Sequence, residues 1–156
     1  MRFLFAVALF AAASVASSMA ADVKFVRVWP GWRDSESFER IAEYFTGKED
    51  TGREVVLRTH PDQRAGFYFL VRVANSGAEI SGAKFVLQVI LPSIPEPKTL
   101  TFPAEIKARS NVFQLGLTGS DWPDKDIHPV AWKLELRSAD DTVVTSEQSF
   151  LWALPE

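Results

Sequence analysis

From Val23 onward, apolar and polar positions mostly alternate, which is the period of a strand with one buried face. In VKFVRVW, Val23, Phe25, Arg27 and Trp29 share one side, and Lys24, Val26 and Val28 share the other. This predicts a first strand over 23–29. Pro30-Gly31 then predicts a tight turn, because proline fixes one φ angle and glycine is free to take a positive one. After the turn the period changes. Phe38, Ile41, Ala42 and Phe45 stand at i, i+3, i+4 and i+7, so the spacing predicts one short amphipathic helix over 35–46. Asp34 or Ser35 is suited to cap its start, and Gly47 to end it in the left-handed conformation.

Period two returns after the loop KEDTGRE. Strands are predicted over 53–59, 67–75 and 83–91, briefly at Leu100 and Phe102, then over 112–118, 130–137 and 142–152. PSIPEPK reads as an extended, proline-stiffened crossing, and GSDWPDKDIHP as the longest polar loop. Many short strands with regular turn signals, and no alternating helices, predict a mainly β antiparallel sandwich. The last six strands, with Trp132 mid-strand on the core-facing side, resemble an immunoglobulin-like or fibronectin-III-like domain in architecture. The Cys…Trp…Cys signature of true immunoglobulin domains is absent. The helix needs a surface for its stripe. Phe38, Ile41 and Phe45 are expected to close one end of the sandwich, with Trp29 and Trp32 filling the rim beneath.

The first twenty residues follow a different rule. Arg2 is followed by the apolar run FLFAVALFAAA, and Ser18 and Ala20 stand at −3 and −1 before Ala21. This is the layout of a secretory signal peptide over 1–20, which leaves one domain over 21–156. The run is short for a membrane span, which needs roughly 20 residues. The expected location is therefore periplasmic or extracellular, with no membrane span in the mature chain. The chain has no cysteine, which removes disulfides, thiolate metal sites and a cysteine nucleophile together. Stability must come from the core, for which 47% hydrophobic residues and 12 Phe supply material. The formal charge is −3, with no basic run, so nucleic acid is not an expected partner.

Motifs for catalysis are sparse. The serine-hydrolase elbow, the phosphate loop, the dinucleotide fingerprint and the zinc-helix motif are all missing. Gly116, Gly119 and Ser120 form a glycine-rich stretch with no lysine after it. His60 and His128 each precede a proline and read as turn residues. Asp121, Asp124 and Asp126 share one loop and are the weak candidates for a metal, but Lys125 sits among them and the spacing is not that of a calcium hand. No cofactor is expected, and nothing nominates a carboxylate pair for hydrolysis. The remaining lead is aromatic. Trp29, Trp32 and Trp122 are predicted at turns, and Arg40 and Tyr44 on the helix. These five are the candidate binding residues. The sequence is read as an exported, non-enzymatic module that binds another protein. The alternative is a carbohydrate-binding module with tryptophan platforms.

Overall fold

The computed structural model describes residues 23–153, so the segment read as a signal peptide lies outside the described residues. Eight strands form the body: β1 (Val23–Arg33), β2 (Val55–Arg58), β3 (Gly66–Asn75), β4 (Ile80–Leu91), β5 (Ile94–Ile106), β6 (Arg109–Thr118), β7 (Ala131–Arg137) and β8 (Val143–Gln148). They make two four-stranded sheets, a front sheet ordered β1-β3-β6-β2 and a back sheet ordered β5-β4-β7-β8. All pairings are antiparallel except β2 with β6, which run parallel. The protein is mainly β, with two antiparallel-rich sheets packed on each other.

The alternation in the sequence accounts for the core. Phe67, Phe69, Val71 and Val73 of β3 and Phe113, Leu115 and Leu117 of β6 point inward from the front sheet. Phe85, Leu87 and Val89 of β4, Phe102 and Ile106 of β5, and Leu134 and Leu136 of β7 meet them from the back. Phe85 and Phe113 touch edge to face at 4.9 Å, the preferred aromatic geometry. Trp132 packs on this core half-buried, edge-on to Phe69 at 5.5 Å.

Two local expectations are corrected. The first concerns WPGW. Pro30 and Gly31 make no turn, because β1 runs through them to Arg33. Proline is tolerated there because β1 is an edge strand, where a missing donor need not break a ladder. A bulge also interrupts β1. Phe25 pairs with Val73 and Arg27 with Arg72, so Val26 is an extra residue. The bulge reverses the alternation. Val23 and Phe25 face the core before it, whereas Val28 and Trp32 pack on the core after it, and Trp29 turns outward beside Leu70.

The second correction concerns the helix. Ser35–Phe38 is a 3-10 turn, and an α-helix, α1, covers only Ile41–Thr46. Glu39 and Arg40 between them are extended. Ser37 ties the first piece back, its hydroxyl donating to the Asp34 carbonyl at 2.6 Å. Phe38 alone of the predicted stripe is buried; Ile41 and Phe45 are 78% and 85% exposed. Gly47 does end α1 in the left-handed region, at φ 65°.

The excursion from β1 to β2 lies over the outer face of the front sheet. It explains why Tyr68 and Gln114, which alternate away from the core, are nonetheless buried. Phe38 covers Tyr68 with ring centroids 4.8 Å apart. The guanidinium groups of Arg33 and Arg58 each sit 4.9 Å from the Phe38 ring. Among the described residues no helix is long and apolar enough to cross a membrane.

Candidate binding face

The predicted site residues separate into two recesses and one core position. The first recess follows from the bulge. With Trp29 turned outward, its indole is 58% exposed and borders a depression of about 300 Å³ lined also by Trp32, Arg33, Tyr68 and Leu70. Gly31 opens this space, since a Cβ there would meet nothing within 4 Å. Arg27 stacks its guanidinium 4.5 Å from the Trp29 ring. Trp32 is half-buried, and its indole N–H donates to the Asp34 carboxylate at 2.9 Å.

The second recess, about 250 Å³, lies on α1 and brings Arg40 and Tyr44 together with Glu39, Glu43 and Arg64. Tyr44 is 79% exposed. Beside it, Ile41 and Phe45 are exposed on α1, a single short helix that follows an extended break. Arg40 rests against Gly52. The charges nearby are occupied within the protein. Glu43 pairs with Arg64 at 2.8 Å, and Glu49 takes Arg58 through both oxygens, at 2.6 and 2.8 Å. Arg58 also donates to the Tyr68 hydroxyl at 2.7 Å, which itself donates to the Arg64 carbonyl at 2.6 Å.

Contacts and burial together shift two ionisable groups of this face. The hydrogen bond from Arg58 holds the Glu49 carboxyl below its ordinary range, against the opposing effect of burial. Burial pushes the Tyr68 phenol up, although the bond from Arg58 pulls the other way. The face is therefore anchored by a charged Arg58–Glu49 pair on a neutral phenol. The exposed apolar residues lie on top of it.

Trp122 does not join this face and is corrected. It is 2% exposed, stacked on Phe67 at 4.5 Å, with its N–H donating to the Ile127 carbonyl at 3.3 Å. The polar loop folds over it, and the indole becomes part of the core. Asp121, Asp124 and Asp126 are not gathered either. Asp121 turns to Lys98 at 2.5 Å and to His60 at 3.4 Å, and Asp124 accepts the Asp126 backbone N–H at 2.9 Å. Among the described residues, no three His, Asp or Glu are placed to hold a metal ion. His128 lies edge-on to Phe67 at 6.3 Å. No family model matches the chain, and no curated protein matches it.

Proposed function

We propose that the protein is an exported sandwich domain that works by binding another protein, with Ile41, Tyr44 and Phe45 of α1 as its contact surface. One observation carries this reading. Three large apolar side chains on one six-residue helix are each more than three-quarters exposed, at 78%, 79% and 85%. Leaving such a side chain in water forgoes roughly 1.5–3 kcal/mol relative to burial. A cluster of them on a soluble domain marks an interaction surface. Glu43, Glu49, Arg58 and Arg64 nearby are paired with one another, so the face offers chiefly apolar area. The aromatic and aliphatic mixture suits the apolar centre of a protein interface.

Two further proposals place the module. The layout of residues 1–20 supports export, which the mass of the mature chain would test: a start at Ala21 agrees, and retention of Met1 does not. The strand order supports an immunoglobulin or fibronectin-III relationship. In the lettering of that fold, β1, β3 and β6 occupy A, B and E, and β5, β4, β7 and β8 occupy C′, C, F and G. β2 takes the place beside E with parallel sense, which departs from the pattern.

The binding test uses a photo-reactive residue at position 44 in the producing cell. The expected result is one discrete cross-linked protein, lost when Phe45→Ser is added and absent when the probe is moved to position 140. No adduct, or the same adducts from both positions, overturns the reading. A glycan platform is the second reading, favoured by the exposed Trp29 ring beside an open depression. Retention on an insoluble glycan that Trp29→Ala abolishes and Phe45→Ser leaves intact would support it instead.

A further inference from the structure

A second constellation lies outside that face, where the β2–β3 loop meets the end of β6. His60 follows β2, and Gly119, Ser120 and Asp121 follow β6 in a 3-10 turn. The imidazole stands between two partners. Its Nε2 is 3.3 Å from the Ser120 hydroxyl, and its Nδ1 is 3.4 Å from a carboxylate oxygen of Asp121. The other Asp121 oxygen accepts from Lys98 Nζ at 2.5 Å, and the Thr59 hydroxyl also approaches Nδ1 at 3.4 Å. A hydroxyl on one ring nitrogen and an oriented carboxylate on the other is the arrangement that activates a serine.

The sequence gives no elbow motif here, and residues 60 and 120 are far apart in the chain. The fold holds them in register through Thr118, which is fully buried. The Thr118 hydroxyl accepts the His60 N–H at 2.9 Å and donates to the His60 carbonyl at 3.0 Å. The Thr118 N–H donates to the Thr59 hydroxyl at 3.0 Å. The backbone of His60 is thus fixed to the residue that leads directly into Gly119-Ser120-Asp121. Gly119 takes φ 59°, and the Gln63 amide packs against it. Ser120 is exposed, and the His60 side chain is 38% exposed, so the hydroxyl is open to a substrate. Asp121 and Thr59 also border a groove of about 590 Å³ between β2 and β5, with Leu57, Leu100 and Phe102 among its apolar lining.

We propose that Ser120, His60 and Asp121 form a nucleophile, general base and orienting carboxylate that cleave short aliphatic carboxylic esters, with the acyl chain in this groove. The Ser120 oxygen attacks the ester carbonyl while its proton passes to His60 Nε2. The carbonyl–alkoxy bond then breaks, and the leaving oxygen takes that proton and departs as the alcohol. Water attacks the acyl-serine, giving its proton to His60. The acid leaves as the proton returns to Ser120. Ester and water become acid and alcohol with no other reactant.

The test treats the mature chain with an alkyl fluorophosphonate, and separately with p-nitrophenyl butyrate. The expected result is a single covalent adduct mapped by peptide mass to Ser120, together with butyrate ester hydrolysis. Ser120→Ala abolishes both. His60→Gln slows the labelling by about 100-fold or more, the scale of a general base. Both variants keep the wild-type circular dichroism, since both side chains are at the surface. No adduct, an adduct elsewhere, or unchanged labelling in His60→Gln overturns the proposal. None of these residues belongs to the α1 face, so the outcome is independent of the binding test.

Discussion

Gly116 faces Tyr68 across the β3–β6 ladder, and the side chain that glycine lacks is the room the tyrosine ring occupies. A Cβ at position 116 would stand 2.4 Å from the ring edge. Gly116→Ala must therefore push the ring outward, into Phe38 and the excursion above it. The expected cost is about 1–3 kcal/mol, typical of overpacking, read as a lower urea midpoint with the same slope. Unchanged stability would mean that the ring is not held there.

The tryptophans should differ sharply in stability and in quenching. Trp122→Ala removes an indole stacked on Phe67 and should cost about 3–5 kcal/mol. Trp29→Ala removes a largely exposed ring and should stay within roughly 0.5 kcal/mol of wild type. In single-tryptophan variants, acrylamide should quench Trp29 readily and Trp122 poorly. Equal quenching would contradict the burial of Trp122.

The bulge makes an unusual prediction about chain length. Deleting Val26 joins two segments already in register, Phe25 opposite Val73 and Arg27 opposite Arg72, and every later residue keeps its face. The deletion should fold, with Trp29 still quenchable. Deleting Val28 instead would draw Arg27 into the half-buried position opposite Val71 that packs on the core. That variant should be the less stable of the two, because a charge would be pressed against apolar neighbours. Comparable thermal stability of the two deletions would refute the register.

Acid should weaken the fold through the carboxyls held below their ordinary range, of which three are partly buried. Arg58 holds Glu49 below its ordinary range. For Asp121, burial acts against ionisation, but hydrogen bonds from Lys98 and Thr59 outweigh it. A hydrogen bond from Lys133, reinforced by Arg137 against the cost of burial, lowers Glu135. Each group contributes stability that is complete above its unfolded pKa, about 4, and is lost as pH falls through the lower folded value. Glu147, raised by burial, has the opposite sign and offsets part of the loss. The urea midpoint should fall as the pH drops below about 4. Tyr68, raised in the fold, should add a loss of stability on the alkaline side, above about pH 10. An acid limb that stays flat would remove these pairs from the account of stability.

Much of this architecture was legible in the sequence because burial on one face writes itself as alternation. β3, β4, β6 and β7 lie close to where their inward residues predict, and Gly47 ends the helix as its freedom at positive φ requires. What the pattern hid has specific causes. A bulge keeps the composition and changes the face, so Trp29 left the side it shares by alternation with Val23 and Phe25 without any local signal. Ile41 and Phe45 share the spacing of a buried stripe, and only the break at Glu39-Arg40 leaves them bare. Trp122 sits in a polar loop, and its burial depends on Phe67, more than fifty residues earlier. The His60–Ser120 contact is likewise set by the pairing of distant strands, and neither histidine flank announces it.

The parallel pairing of β2 with β6 also constrains time. β4 and β5 can close as a hairpin as soon as both exist, since Leu91 already meets Ile94. β1 must wait for β3. β2 must wait much longer, because Val55 meets Phe113 only after the intervening chain has been made. Contacts of such separation form late, when most of the closure entropy has been met by other pairings. The α1 segment, tied to the sheet through Phe38, Glu43 and Glu49 against residues of β2, β3 and the loop between them, would settle only at the end. A chain emerging N-terminus first would therefore present its apolar helix before it had anything to stand on. The surface left most exposed on the finished domain would be the one most in need of shelter during its synthesis.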